Sequence, residues 1–356
     1  MCNVLTYEQI DKGEWNRLVQ TSATGTWFQT PEAFDFFNAQ KELFKPFAIA
    51  IEKSESRVES RESRELRGVC VGYVTVEKSA FKQFLTRRAI IIGGPCWAND
   101  ATNEEVSLLL STLRQQLSTG ANAPIYIESR NFNDYSRWID AFASAGFEYK
   151  PHLNFHVDTS SVEVVETNLG KSRKRDIRTT IREGVTITSI YDLGLQIDDF
   201  ERERMVREYY QVLKNLYKTK VKTPLFPESF FQALAKHPDA RFLLTELNGK
   251  IIGGTVCVAQ EGKCLYEWFA CGEDGVYPHV YPSCYATYAG IRYAAEHNCP
   301  RFDMMGAGKP DEVYGVRDFK AKFGGKEVEH GRFLCVTKPV LYKIGTLGVK
   351  ILKKMK

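Results

Sequence analysis

Long apolar runs are missing from this chain. No stretch approaches the ~18 uninterrupted apolar residues of a spanning helix, so nothing in it reads as a membrane segment. The opening MCNVLTYEQIDKGEW holds neither a basic n-region nor an apolar h-region, and no signal peptide is expected. Excess charge is also scarce. The 48 Lys and Arg against 44 Asp and Glu leave a net charge of +4. That disfavours a dedicated DNA binder, so any electrostatic function must come from local clustering. The nine cysteines, Cys2, Cys70, Cys96, Cys257, Cys264, Cys271, Cys284, Cys299 and Cys335, form no C-x-x-C pair. They fit reduced, buried thiols of a cytoplasmic protein better than a disulfide framework or zinc site. Neither H-E-x-x-H nor a nucleophile elbow occurs. His152 and His156 read as residues of one strand, where they stand ~13 Å apart, too far for one ion. No metal is expected.

Against these absences stands an internal repeat. Hydrophobic periodicity runs twice through helices, three strands, a helix, a strand, a helix and a strand. In the first pass the strands fall at 47–52, 68–77, 88–93, 125–128 and 147–157, with helices at 104–118 and 134–145. In the second they fall at 242–247, 251–258, 264–269, 302–305 and 332–336, with helices at 202–217, 227–235, 283–296 and 316–322. The fold class is α+β, with two tandem domains at 1–158 and 159–337, each a mixed, mostly antiparallel sheet flanked by helices. Residues 338–356 form a basic amphipathic tail. The polar segment 54–67, SESRVESRESRELR, reads as a solvated hairpin extension.

Four places carry chemistry. On a helix over 171–182, Lys171, Arg175, Arg178 and Arg182 make one cationic stripe suited to phosphate, with Ile177 and Ile181 turned toward the core. The run Asp303 to Pro310 resembles a phosphate loop but has Met304 and Pro310 where that loop needs Gly and Ser or Thr. Its glycines let the chain leave a strand, with Asp303 placed to orient an amine. In FKAKFGG, Phe319 and Phe323 share one side of a helical turn, and Lys320 is the candidate donor to an oxyanion or leaving hydroxyl. Tyr266, on the strand 264–269, is a candidate to line the acceptor site. The tail carries Lys338, Lys343, Lys350, Lys353, Lys354 and Lys356 with no acid, and suits an anionic membrane surface or docking on the preceding domain equally.

The segments KSRKRDIRTTIREGV, CLYEWF, FDMMGA and GVRDFKAKFGG, with GTWFQTPE and Gly93-Gly94-Pro95 in the first half, resemble the Fem-type aminoacyltransferases. The similarity runs along nearly the whole chain. It implies two acetyltransferase (GNAT)-type domains with a substrate cleft between them, no tightly bound cofactor and no covalent enzyme intermediate. Members move an amino acid from aminoacyl-tRNA to an amine of the peptidoglycan stem peptide, and relatives use other acyl donors. The resemblance places Phe319 and Lys320 near the reacting centre and makes Lys220 or Lys222 the nearest match to a basic residue that holds precursor phosphate. The family's long helical hairpin in the second domain has no counterpart between Asp192 and Pro227, and Phe36 and Phe37 occupy the neighbourhood of a first-half lysine. A Q-x-x-G-x-G/A coenzyme A signature is absent too.

The expected function is therefore aminoacyl or acyl transfer to an amine of a phosphate-bearing cell-envelope precursor, with aminoacyl-tRNA or acyl-CoA as donor and no DNA partner. The alternatives are a CoA-dependent N-acyltransferase acting on a sugar, and a non-catalytic module that binds anionic envelope lipid.

Overall fold

The alternating apolar segments do become strands, but these are shared between two sheets in an order that linear spacing does not suggest. A computed structural model describes residues 2–54, 64–77, 79–120, 123–193, 197–221 and 224–354. Most of the polar 54–67 segment lies outside the described residues. The strands begin with β1 (Cys2–Thr6), β2 (Phe44–Ser54), β3 (Arg64–Thr75), β4 (Ala89–Gly93), β5 (Cys96–Trp97), β6 (Tyr126–Asn131) and β7 (Glu148–Lys150). They continue with β8 (Leu153–Asp158), β9 (Thr186–Ser189), β10 (Ala240–Leu247), β11 (Lys250–Gln260), β12 (Cys264–Gly272), β13 (Arg301–Asp303), β14 (Lys326–Glu329) and β15 (Arg332–Val336).

The first sheet has the order β1-β2-β3-β4-β6-β15-β7, with β5 attached to β3. The second has the order β14-β8-β13-β12-β11-β10-β9. One parallel pair occurs in each, β4 with β6 and β12 with β13, and the other pairs are antiparallel. Both sheets are thus mixed and mostly antiparallel, with helices on their faces.

The domain boundaries at 158/159 and 337/338 are corrected. One compact unit is Met1–His152 together with His330–Lys356, and the other is Leu153–Glu329. The strand read as 147–157 breaks in two: β7 stays in the first sheet, while β8 pairs with β13 and β14 in the second. The closing strand β15, read as the end of the second domain, returns to the first and lies between β6 and β7. There Phe333 stacks on Phe142 with ring centroids 3.8 Å apart. A period of two says which face of a strand is buried, but not which sheet it joins.

Local signals fared better. Asn248 and Gly249 have φ of 52° and 77°, the left-handed pair that a two-residue hairpin needs, and Leu247 faces Lys250 across it. Helix Asn103–Ser118 opens on a capping box made by Thr102 and Glu105, and buries Val106, Leu109, Leu110 and Leu113. The first core gathers these around Trp15, Trp97 and Phe142, and the second is built from Phe155, Val157, Ile291, Phe302 and Phe323. None of the nine cysteines is in a disulfide, and all but Cys2 are buried. Among the described residues, no helix is long and apolar enough to cross a membrane.

Candidate active site

The basic helix forms over Lys171–Arg182. Lys171, Arg175, Arg178 and Arg182 are exposed, as one stripe requires. Arg175 is held by Asp176 at 3.0 Å and Arg182 by Glu183 at 3.6 Å. Ile177 is buried, but the expectation for Ile181 is corrected: it is 48% exposed. The inward face is instead Arg173, Asp176, Ile177 and Thr180, and four residues add ~40° of rotation beyond a full turn, which carries Ile181 off that face.

Arg173 is the residue of this helix that reading for exposed cations passed over. Its guanidinium sits 4.4 Å from the Phe319 ring centre and 5.0 Å from that of Phe323. It also donates to the Phe319 carbonyl at 3.2 Å. The two phenylalanines meet edge to face at 5.2 Å. Gly324, with φ 78°, ends this turn where a Cβ would come within 2.2 Å of the Asn168 carbonyl oxygen. The pattern FKAKFGG thus fixes helix Gly315–Ala321 against the start of the basic helix, with the Phe319 ring packed between Arg173 and Phe323.

Lys320 follows from that placement. Its Nζ donates to the carbonyl oxygens of Met304 and Gly306, the latter at 2.7 Å. Burial pushes the ammonium pKa below the usual lysine range, against the opposing pull of Glu267 and Asp303. The acceptors lie on a loop in rare conformations: Met305 has φ 53°, Gly306 105° and Gly308 79°. A non-glycine residue there is costly unless its surroundings over-determine it. They do. Met305 N donates to Asp303 Oδ1 at 2.8 Å, Gly306 N to Asn154 Oδ1 at 2.7 Å, and Lys320 takes the carbonyls on either side of Met305.

Asp303 ends β13 opposite His156 of β8 and is completely buried. It accepts from Asn154 Nδ2 at 2.7 Å, and its other oxygen lies 3.1 Å from His156 Nε2. Burial alone would raise its pKa, but His156, Arg301 and Asn154 outweigh that and hold it below the usual carboxylate range. Glu267 is buried on β12, bonded to Thr255 Oγ1 at 3.1 Å. Burial raises its pKa while Lys320 and the two threonines near it, Thr287 and Thr255, oppose the rise. Lys320, Asp303 and Glu267 thus influence one another's titration beside a strained backbone loop.

Replacing Glu267 by glutamine removes a charge that favours protonated Lys320, so the Lys320 pKa falls further. If the ammonium is the working form, the alkaline limb of the kcat–pH profile moves to lower pH in this variant. An unmoved limb would show that Lys320 is not the titrating group.

Tyr266 is corrected as an acceptor-lining residue: it is 0% exposed, with its hydroxyl on Gln260 Oε1 at 3.3 Å. Helix Pro282–Glu296 and helix Asp199–Leu216 both pack on β12, and the positions of the strand that stay half-exposed are Trp268, Ala270 and Gly272, not Tyr266. Lys220 is exposed on the turn Tyr217–Val221, and Lys222 lies outside the described residues. His156 and His152 serve different neighbours, the latter lying 2.9 Å from Arg332. Asn154, His156 and Glu267 were not singled out for the site. A lone carboxylate inside the apolar run CLYEWF was the one signal present for Glu267.

Residues 171–320 match a family model described as an acetyltransferase (GNAT) domain, and the match ends on Lys320. No curated protein matches by sequence. Among solved structures the chain is similar to FemX, with a TM-score of 0.67 at 12% identity over 96% of this chain and 99% of that one. It is similar also to the C-terminal domain of a putative lysylphosphatidylglycerol synthetase from Agrobacterium fabrum, with a TM-score of 0.55 at 12% identity over 96% of each chain. A tandem GNAT protein from the clavulanic acid biosynthesis pathway gives 0.53 at 8% identity over 95% of this chain and 99% of that one.

Proposed function

We propose that this chain, an acyltransferase of FemX-like tandem GNAT fold, transfers an aminoacyl or acyl group to an amine of a phosphate-bearing cell-envelope precursor. The observation that carries the reading is the half-buried Lys320 side chain, whose Nζ is bound to the strained 304–306 loop inside the segment that matches a GNAT domain. The acceptor amine attacks the carbonyl carbon of the donor ester or thioester. Negative charge gathers on the carbonyl oxygen, the bond to the leaving oxygen or sulfur breaks, and the amine loses a proton. Two of the three Lys320 N–H bonds are used by the loop, which leaves one for the oxyanion or the leaving atom. Asp303 works by holding the loop, and no covalent enzyme intermediate is needed. Positioning plus electrostatics supply the rate.

The exposed stripe Lys171, Arg175, Arg178 and Arg182, with Lys220 and Lys222, is assigned to phosphate. Replacing Arg178 and Arg182 together by glutamate should raise KM for the phosphate-bearing substrate by about tenfold or more with kcat little changed, and flatten its salt dependence. Equal KM and salt response in the variant would rule the stripe out. Two features bear on the donor and oppose one another: the missing coenzyme A signature disfavours acyl-CoA, and the missing hairpin disfavours aminoacyl-tRNA. Between Asp192 and Pro227 the described residues form the end of helix Ile190–Leu193, helix Asp199–Leu216 and a short turn, where Fem-type enzymes that use tRNA often carry a long hairpin.

Purified protein given labelled acetyl-CoA or, separately, charged tRNA, with a panel of amine acceptors, tests the reading. Label moved from either donor to an envelope-type amine supports it and identifies the donor. Transfer from neither leaves the lipid-binding module as the better account.

A further inference from the structure

The first unit carries a surface that the transfer chemistry does not use. Helix Ala80–Thr86 and helix Pro339–Lys354 lie against one another there. On the shorter helix Phe84 is 56% and Leu85 38% exposed; on the longer one Val340, Ile344 and Leu347 are 72%, 55% and 58% exposed. The last three fall at i, i+4 and i+7, one helical face. The opposite side of the same helix is anchored: Tyr342 packs edge to face on Tyr126 at 5.6 Å, and the Thr337 and Lys338 amides donate to the Ile125 carbonyl. Over its described side chains, up to Leu347, the tail helix thus docks on its own unit by one face and leaves the other exposed.

Charge identifies what would cover it. Residues 78–88 hold Lys78, Lys82, Arg87 and Arg88, residues 337–356 hold six lysines, and neither segment has an acid. In a nearly neutral protein these two sequence segments are therefore purely cationic, and among the described side chains Lys343 is exposed next to Ile344. We propose that these two helices form a peripheral docking surface for an anionic phospholipid membrane, the apolar residues entering the acyl boundary and the cations meeting headgroup phosphates. A second copy of the chain is a poor occupant, since it would oppose like-charged cations. The proposal does not depend on the transfer reaction.

Co-sedimentation of the full chain with phosphatidylcholine vesicles, with and without phosphatidylglycerol, tests it. Binding is expected to the anionic vesicles and to fall steeply with salt. Replacing Lys338 and Lys343 by glutamate should lower partitioning on the order of a hundredfold, and replacing Ile344 and Leu347 by serine about tenfold. Circular dichroism and transfer to a water-soluble acceptor should stay unchanged in both. Equal binding to neutral and anionic vesicles, or none to either, overturns the proposal. So does light scattering that shows a dimer dissolved by the serine substitutions.

Discussion

Lys320→Ala should lower kcat at least about a hundredfold, the usual loss when a donor to a developing oxyanion is removed. The substitution also strips two carbonyls, those of Met304 and Gly306, of their donor, so part of the loss could come from a relaxed loop. Lys320→Gln separates the two effects. The amide still donates hydrogen bonds to the loop but carries no charge and yields no proton. Activity near the parent level in Lys320→Gln, with both variants folded by circular dichroism, would show that the ammonium is not part of the chemistry. Activity low in both, with near-parent thermal stability in the glutamine variant, is the expected result.

The second large effect is on stability. Asp303→Ala should destabilise the protein by about 3–5 kcal/mol, because it removes a buried carboxylate on which several polar groups converge. Those groups are His156, Asn154 Nδ2 and the Met305 amide. Asp303→Asn keeps an acceptor oxygen and should cost less, about 1–3 kcal/mol. Because the folded-state pKa of Asp303 lies below its ordinary value, its contribution is complete above the ordinary carboxylate range. It fades as pH falls through the depressed value. Urea midpoints should therefore differ between the parent and Asp303→Asn at neutral pH and converge in acid. A constant gap across that range would mean that charge at 303 is not what stabilises the loop.

What lies within a few residues along the chain was legible in the sequence. The Asn248-Gly249 hairpin and the capped helix after Thr102 follow from local torsional and hydrogen-bonding preferences. So do the basic stripe on helix Lys171–Arg182 and the Phe319–Phe323 pair. Each depends on neighbours at fixed spacing, which any sequence displays. Even here the limit shows: the same periodicity that located Ile177 misplaced Ile181, one edge of the helix face away.

The site was legible only in part. Lys320 and Asp303 stood out through their motifs, but the groups that act on them did not. Asn154 and His156 lie about one hundred and fifty residues from Asp303 in sequence (the gap between Asn154 and Asp303 is 149) and meet it because β8 joins the second sheet. Arg173 looked like one more solvated cation until Phe319 and Phe323 packed beneath it. Tyr266 looked available, but its side chain is buried and the half-exposed positions of its strand are Trp268, Ala270 and Gly272.

The sequence by itself determined the element types, the repeat, the local turns and which residues carry charge, since those follow from short-range geometry and side-chain chemistry. Only the tertiary structure decided that β8 and β15 join sheets other than those their neighbours suggested, and that Lys320 turns its Nζ onto the carbonyls of Met304 and Gly306. Sheet membership and burial are settled by contacts between distant segments, and a residue's pKa and reach depend on which of those contacts form.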